Sequence, residues 1–189
     1  MKFISFLHNK EAKFGIINNK SITDLTGKIS GANTLKALIE IKGILEAKKY
    51  VTENPGNISL DDIEYLPLIP NPGKIICVGL NYSEHVKETN RTVEENPVVF
   101  HRFPESQTAH LQAIQRPIAS HSLDYEGEMA VIMGEGGKHI KPEDALKHIV
   151  GYSCYNESTI REWQRHTRQF GMGKNFEKRE TEKKRDWQR

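Results

Sequence analysis

Two glutamates one residue apart, Glu126 and Glu128, are the strongest chemical signal in the chain. They lie in residues 123–133, which end in a β-prone apolar run between Pro117 and Gly134-Glu135-Gly136-Gly137 and so read as a strand. Side chains two apart on a strand share a face, and Ala130 and Ile132 continue the face of the two glutamates. Two carboxylates side by side repel unless a proton or a cation sits between them. A hard divalent ion bound by oxygens is the simplest occupant. Taken alone, the pair is also what the wet face of an edge strand carries, so the neighbouring segments decide its meaning.

Those segments add candidates. Residues 149–155 read as another strand and deliver Asn156-Glu157 at its end, where a third carboxylate can join the first two. Three oxygen donors make a platform for a six-coordinate ion that keeps positions open for substrate. His85 and Glu88 are three apart in a helix-like stretch that Ser83 can cap, and so share a face. A carboxylate beside an imidazole fixes its tautomer and raises its basicity, as a general base near neutral pH requires. The same spacing serves equally well as a surface ion pair. Ser158 or Thr159 caps a turn carrying Arg161 and Gln164, and Gly171-Met172-Gly173-Lys174-Asn175-Phe176 is a glycine-flanked lysine. A His/Glu base and a lysine beside a bound cation would complete a site for carbonyl chemistry.

The elements that must position these residues fall into two parts. Residues 1–70 read as a small α+β module. Lys2–His8 and residues 13–18 are short strands with a turn at Asn9-Lys10, and Asn33-Thr34 caps one helix from Leu35 to about Tyr50. Pro70-Asn71-Pro72-Gly73 is the connector and the domain boundary. Residues 71–176 form the part that carries the chemistry: strands at 74–80, 97–100, 123–133 and 149–155, a polar loop at 105–115 and a short helix at 140–148 opened by Pro142. Residues 177–189 carry ten charges in 13 positions and read as a solvated helix or disordered tail.

Composition bounds the classes. Of 189 residues 37% are hydrophobic, the net charge is +2, and the mean hydropathy is −0.62. No run approaches the roughly 18 apolar residues of a membrane span, and the first residues lack a signal peptide, so the expectation is a cytoplasmic protein with no membrane partner. Mixed charge gives no basic footprint for nucleic acid, and the arginines of 161–168 have no groove-reading motif around them. Cys77 and Cys154 lie in separate apolar segments and read as buried free thiols.

Four motifs in order then resemble the fumarylacetoacetate hydrolase family over residues 72–176. They are residues 74–85, ending in Asn81-Tyr82-Ser83-Glu84-His85; residues 124–132 around Glu126 and Glu128; Gly151-Tyr152 with Asn156-Glu157 and Arg161-Glu162-Trp163-Gln164; and Gly173-Lys174-Asn175-Phe176. The preceding module resembles the small N-terminal domain of many bacterial members. The resemblance implies a β-rich α+β fold, a rolled mixed β-sandwich, in a homodimer. It implies a Mg²⁺- or Mn²⁺-dependent enzyme acting on a small-molecule 2-oxo acid with a 1,3-dicarbonyl or enol group. Acylpyruvate-type C–C hydrolysis leads, with oxaloacetate-type decarboxylation and 2-hydroxy-dienoate isomerisation or hydration as relatives of it. By the same resemblance Glu126, Glu128 and Glu157 hold the metal, His85 and Glu88 activate water, and Lys174 stabilises developing negative charge. Gln164 faces the substrate, with Arg161 and Arg102 as further substrate-binding candidates.

Two departures shape the expectations. Relatives carry aspartate where Glu157 stands. The extra methylene displaces the carboxylate by about 1.5 Å, which Ca²⁺ tolerates better than Mg²⁺. Relatives also continue with further core strands after the position of Phe176, so the expectation is a truncated product with open strand edges, low stability and a tendency to associate. The competing reading is a catalytically inactive fragment that binds a metal or a partner chain.

Overall fold

The computed structural model describes residues 1–82 and 96–177. It divides into two compact units, one of Met1–Pro72, Thr108–Ala113 and Glu126–Glu157, the other of Gly73–Gln107, Ile114–Tyr125 and Ser158–Arg189.

The first unit opens with β1 (Lys2–His8) and β2 (Glu11–Asn18), antiparallel with Phe6 opposite Lys13. Asn9 and Lys10 join them at φ 53° and 66°, the left-handed conformations a two-residue hairpin turn demands. With β3 (Ser21–Asp24), β4 (Ile58–Ser59) and β5 (Glu64–Tyr65) they make a five-stranded sheet in the order β4-β3-β2-β1-β5. Alternation sends Phe14 and Ile16 to one face and Ile4 and Phe6 to the other. The first face packs on Leu25, Leu35, Leu38 and Ala47, and the second on Ile22, Ile58, Leu60 and Ile63.

The helix expected from Leu35 to about Tyr50 is two helices, α1 (Leu35–Glu40) and α2 (Ile44–Glu53). Thr34 caps the first, its hydroxyl accepting from the Ala37 N–H at 3.1 Å. Lys42 at φ 57° then closes it, with Lys42 N–H to Ile39 O and Gly43 N–H to Leu38 O both at 2.9 Å. That bond pair is the 6→1 and 5→2 pattern of a Schellman stop. A periodic apolar stripe runs through both helices, so periodicity alone did not show the break.

The second unit begins with the antiparallel pair β6 (Ile75–Gly79) and β7 (Val98–Arg102). The strand expected over residues 123–133 is also two. Leu123–Asp124 is β8 and belongs to the second unit, and Gly127–Met133 is β9 and belongs to the first. Each has its own partner: β9 pairs with β10 (Ile149–Asn156), and β8 with β11 (Thr159–Ile160). In the first unit Ile132 of β9 packs on the helical side of the core. The His110 ring meets Tyr65 edge-on at 4.9 Å, and the Gln112 amide donates to Glu64 at 3.1 Å. Residues 142–148 form a 3₁₀ turn rather than an α-helix. Two four-residue helical turns, α3 (Arg161–Gln164) and α4 (Gly171–Lys174), complete the second unit.

Neither cysteine is in a disulfide, as expected, but Cys77 is half-buried and Cys154 is exposed. It occupies an outward position of β10, where alternation overrides the apolar character of the segment. Among the described residues no helix is long and apolar enough to cross a membrane.

Candidate functional site

The acidic residues lie in the first unit. In the β9–β10 ladder Glu128 faces Tyr155 and Gly127 faces Asn156. The next pair in that register is Glu126 with Glu157, and the Glu157 N–H donates to the Glu126 carbonyl at 2.8 Å. The Asn156 side-chain oxygen accepts from the Glu126 N–H at 3.1 Å and holds the start of β9 in place. Directly opposed residues of an antiparallel pair share a face, so Glu126, Glu128 and Glu157 project from the same side. Their burial is unequal, since Glu157 is 5% exposed while Glu126 and Glu128 are half-buried.

Three carboxylates on one face are the donor set a hard divalent ion takes. The backbone brings the three positions together. Among the described residues no group of three His, Cys, Asp or Glu is gathered so as to hold an ion. Like charges at adjacent positions repel unless a proton or a cation lies between them.

The cationic and amide residues lie in the second unit. Lys174 is 2% exposed, and its Nζ stands 5.0 Å from the centroid of the Phe100 ring, a cation–π distance. Its turn α4 is fastened by Asn175, whose amide donates to His101 O at 3.1 Å and accepts from the Phe103 N–H at 2.7 Å. Gly173 permits the approach: a Cβ there would stand 2.5 Å from the Gln164 nitrogen and 2.7 Å from the Ile160 carbonyl. No side chain fits, so glycine is what lets the lysine-bearing turn close on the glutamine-bearing one.

Arg161 donates through Nε to Asp124 at 2.8 Å and through Nη1 to the Gln164 side-chain oxygen at 3.1 Å. Arg102 is 4% exposed and donates to the Ser106 hydroxyl at 3.2 Å and the Ser158 carbonyl at 3.1 Å. Arg102, Gln115, Ser158, Lys174 and Phe176 border a cavity of about 20 Å³, room for roughly one water. Glu162 accepts hydrogen bonds from the hydroxyls of Ser120 and Ser122. Those two bonds, Ser120 first, hold its carboxyl down from 4.5 to about 2.

The structure thus gathers the predicted residues in two sets, Glu126, Glu128 and Glu157 in one unit and Arg102, Arg161, Gln164 and Lys174 in the other. His85 and Glu88 lie outside the described residues. Sequence reasoning missed Asp124, Ser120, Ser122, Glu162 and Gly173. Only Gly173 carried a signal, as a glycine beside the candidate lysine.

Comparison with known proteins agrees with this architecture. The family described as fumarylacetoacetate (FAA) hydrolase C-terminal matches residues 74–181, more than half of the chain. Oxaloacetate tautomerase fahd2, mitochondrial, of Xenopus laevis is 38% identical over 133 residues, 69% of this chain and 42% of that protein. A fumarylacetoacetate hydrolase domain-containing protein 2 homolog of Dictyostelium discoideum is 28% identical over 94% of this chain and 61% of its own length. The chain therefore spans about two to three fifths of these curated relatives. Among solved structures, a fumarylacetoacetate hydrolase from Exiguobacterium antarcticum superposes with a TM-score of 0.69 at 30% identity, covering 94% of this chain and 62% of that one. A maleylpyruvate hydrolase from Sphingobium sp. SYK-6, solved with manganese(II) and pyruvate, has a TM-score of 0.66 over 92% of this chain and 63% of its own, at 19% identity that speaks for fold alone. The β-rich α+β architecture is that of these proteins, present here in part, and the chain belongs to the fumarylacetoacetate hydrolase family.

Proposed function

We propose that this chain carries the metal-binding and substrate-binding residues of a divalent-metal enzyme that enolises a small 2-oxo acid, with keto–enol interconversion of an oxaloacetate-type substrate as its reaction. The observation that supports this best is the β9–β10 register, which sets Glu126, Glu128 and Glu157 on one face. The named relatives supply the substrate class.

Glu126, Glu128 and Glu157 would hold Mg²⁺ or Mn²⁺, which supplies Lewis acidity to the oxo and carboxylate oxygens of a chelated 2-oxo acid. In this reading Lys174 stabilises the negative charge that grows on the oxo oxygen. A buried ammonium fixed beside Phe100 needs little reorganisation to do so. The amide NH₂ of Gln164 donates to a substrate carboxylate. Its oxygen already accepts from Arg161, which leaves the NH₂ end for that role. In this reading His85, with Glu88 assigned to orient its ring, moves the proton between C3 and solvent. One proton leaves C3, one arrives on the C2 oxygen, and no bond between heavy atoms changes.

The test follows the ultraviolet absorbance of enol-oxaloacetate with the purified chain and Mn²⁺. Catalysed decay that His85→Ala lowers by about 10²-fold or more supports the reading. Decay at the rate of Mn²⁺ alone overturns it. Acylpyruvate hydrolysis, in which water adds to the acyl carbonyl and C–C cleavage releases the enolate of pyruvate, is the companion assay, read as loss of the diketone absorbance. The second reading is a fragment that binds metal without turnover. It draws on the ungathered acidic side chains and on the share of the relatives' length this chain spans. Mn²⁺ binding that Glu126→Gln weakens, without catalysis of either substrate, would establish it.

A further inference from the structure

We propose that Glu162 is a positioning residue, whose carboxylate clamps α3 to residues 120–122 and so aims Gln164 and Arg161. The inference rests on the proposed function only for what those two side chains then do.

A four-residue helical turn cannot hold itself, because its few hydrogen bonds do not offset the cost of nucleation. No side chain caps the start of α3. Its order must come from outside, and Glu162 is one of the residues through which the outside reaches it. Both carboxylate oxygens are engaged, Oε1 by the Ser120 hydroxyl and Oε2 by the Ser122 hydroxyl. The receiving segment is itself built. Ser120 is 2% exposed, its Oγ accepts from the Ser122 N–H at 3.0 Å, and its carbonyl accepts from Arg116. One backbone bond runs alongside, from the Arg161 N–H to Ser122 O at 3.1 Å.

The clamp sits between the two residues it would aim. Arg161 precedes Glu162 directly, and Gln164 follows by two positions on the same turn. Arg161 passes order on, since it is tied to Asp124 on one side and to the Gln164 oxygen on the other. Gly173 supplies the opposing stop, with its backbone against that of Gln164. Hydrogen bonds to an ionised acceptor are roughly twice as strong as neutral ones, and two hydroxyl donors favour the charged form of Glu162.

The experiment compares wild type, Glu162→Ala, Glu162→Gln and Ser122→Ala in the full chain, by amide hydrogen exchange and by Mn²⁺ and oxalate binding. Oxalate serves as the probe for a chelated 2-oxo acid. Glu162→Ala is expected to speed exchange at the Arg161 and Arg165 amides by about tenfold or more, with the β1–β2 ladder unchanged. Ser122→Ala keeps one of the two hydroxyl bonds, and Glu162→Gln one acceptor oxygen, so both should fall between Glu162→Ala and wild type. Oxalate affinity should drop about tenfold in Glu162→Ala while Mn²⁺ affinity stays within about twofold, because Glu126, Glu128 and Glu157 lie outside the clamped turn. A purely structural defect would move both affinities together, and that result, or unchanged exchange at Arg161 and Arg165, overturns the proposal. If wild type binds Mn²⁺ but no oxalate, the proposed function fails, and the exchange data still decide the clamp.

Discussion

The five-stranded sheet and the β9–β10 hairpin are built from the same kind of sequence and end in opposite condition. Both alternate along their strands. In the sheet each face finds cover within the chain, so Phe6 is 0%, Phe14 1% and Ile22 0% exposed. In the hairpin one side carries Glu128, Ala130 and Ile132, and the other presents Met129 at 64%, Val131 at 41% and Tyr152 at 59%. The β6–β7 pair repeats this, with Ile76 at 56% and Val78 and Val99 each at 49%. Apolar residues on both faces of a strand are the mark of a strand meant to be covered twice. The N-terminal module closes its own core, whereas the strands nearest the chemistry are covered once.

The largest expected effect sharpens that contrast. Phe14→Ala should destabilise by about 3–5 kcal/mol, while Val131→Thr should change stability by less than about 0.5 kcal/mol. Chemical denaturation of the two variants measures this, and an equal cost at Val131 would mean its face is covered in solution. Sedimentation velocity is the companion measurement: the chain is expected to associate, and Met129→Ser with Val131→Thr to shift it toward monomer.

Next in size is the contrast between a buried residue kept for packing and one kept for chemistry. Lys174→Met should lower stability by about 1–3 kcal/mol, because it keeps the buried volume but takes the cation from the face of the Phe100 ring and the donor from the groups around it. The same change should cost about 10²-fold or more in catalysed enolisation. A variant that unfolds instead would assign Lys174 to the core. Gly173→Ala tests the neighbouring position by overpacking, at about 1–3 kcal/mol from the Cβ that would press on Gln164.

The smallest effect is set by pH. Glu162 titrates near 2 when folded against 4.5 for the free group, so its contribution is complete above about pH 4.5 and disappears as pH falls toward about 2. Asp24 acts in the same direction in the other unit. Burial pushes it up, but bonds from Thr26 and Lys13 outweigh burial and leave it lowered. Thermal melts between pH 5 and 2 should therefore show a shallower slope for Glu162→Gln than for wild type. An identical slope would mean the Ser120 and Ser122 bonds do not persist in solution.

Much of this was legible in the residues, for a local reason in each case. The Asn9-Lys10 turn, the Thr34 cap and the β10 strand depend on neighbours within a few positions, and all three stand where expected. The shared face of Glu126 and Glu128 follows from strand period alone. What failed to show had a common cause. The stop at Lys42 needs one residue in the left-handed region, which lysine does not advertise. Exposure of Cys154 is a matter of one-residue parity in β10.

By itself the sequence determined which residues could do chemistry, the hairpin at the start of the chain and the family to which the motifs point, because type and short-range spacing are written in order along it. Tertiary structure alone decided that residues 123–133 divide between two ladders, that Glu157 falls opposite Glu126, that Lys174 is buried against Phe100, and that Glu162 is held by serines 42 and 40 positions before it. Each of those depends on which distant segment supplies the partner, and strand pairing and close packing make that choice only when the chain is folded.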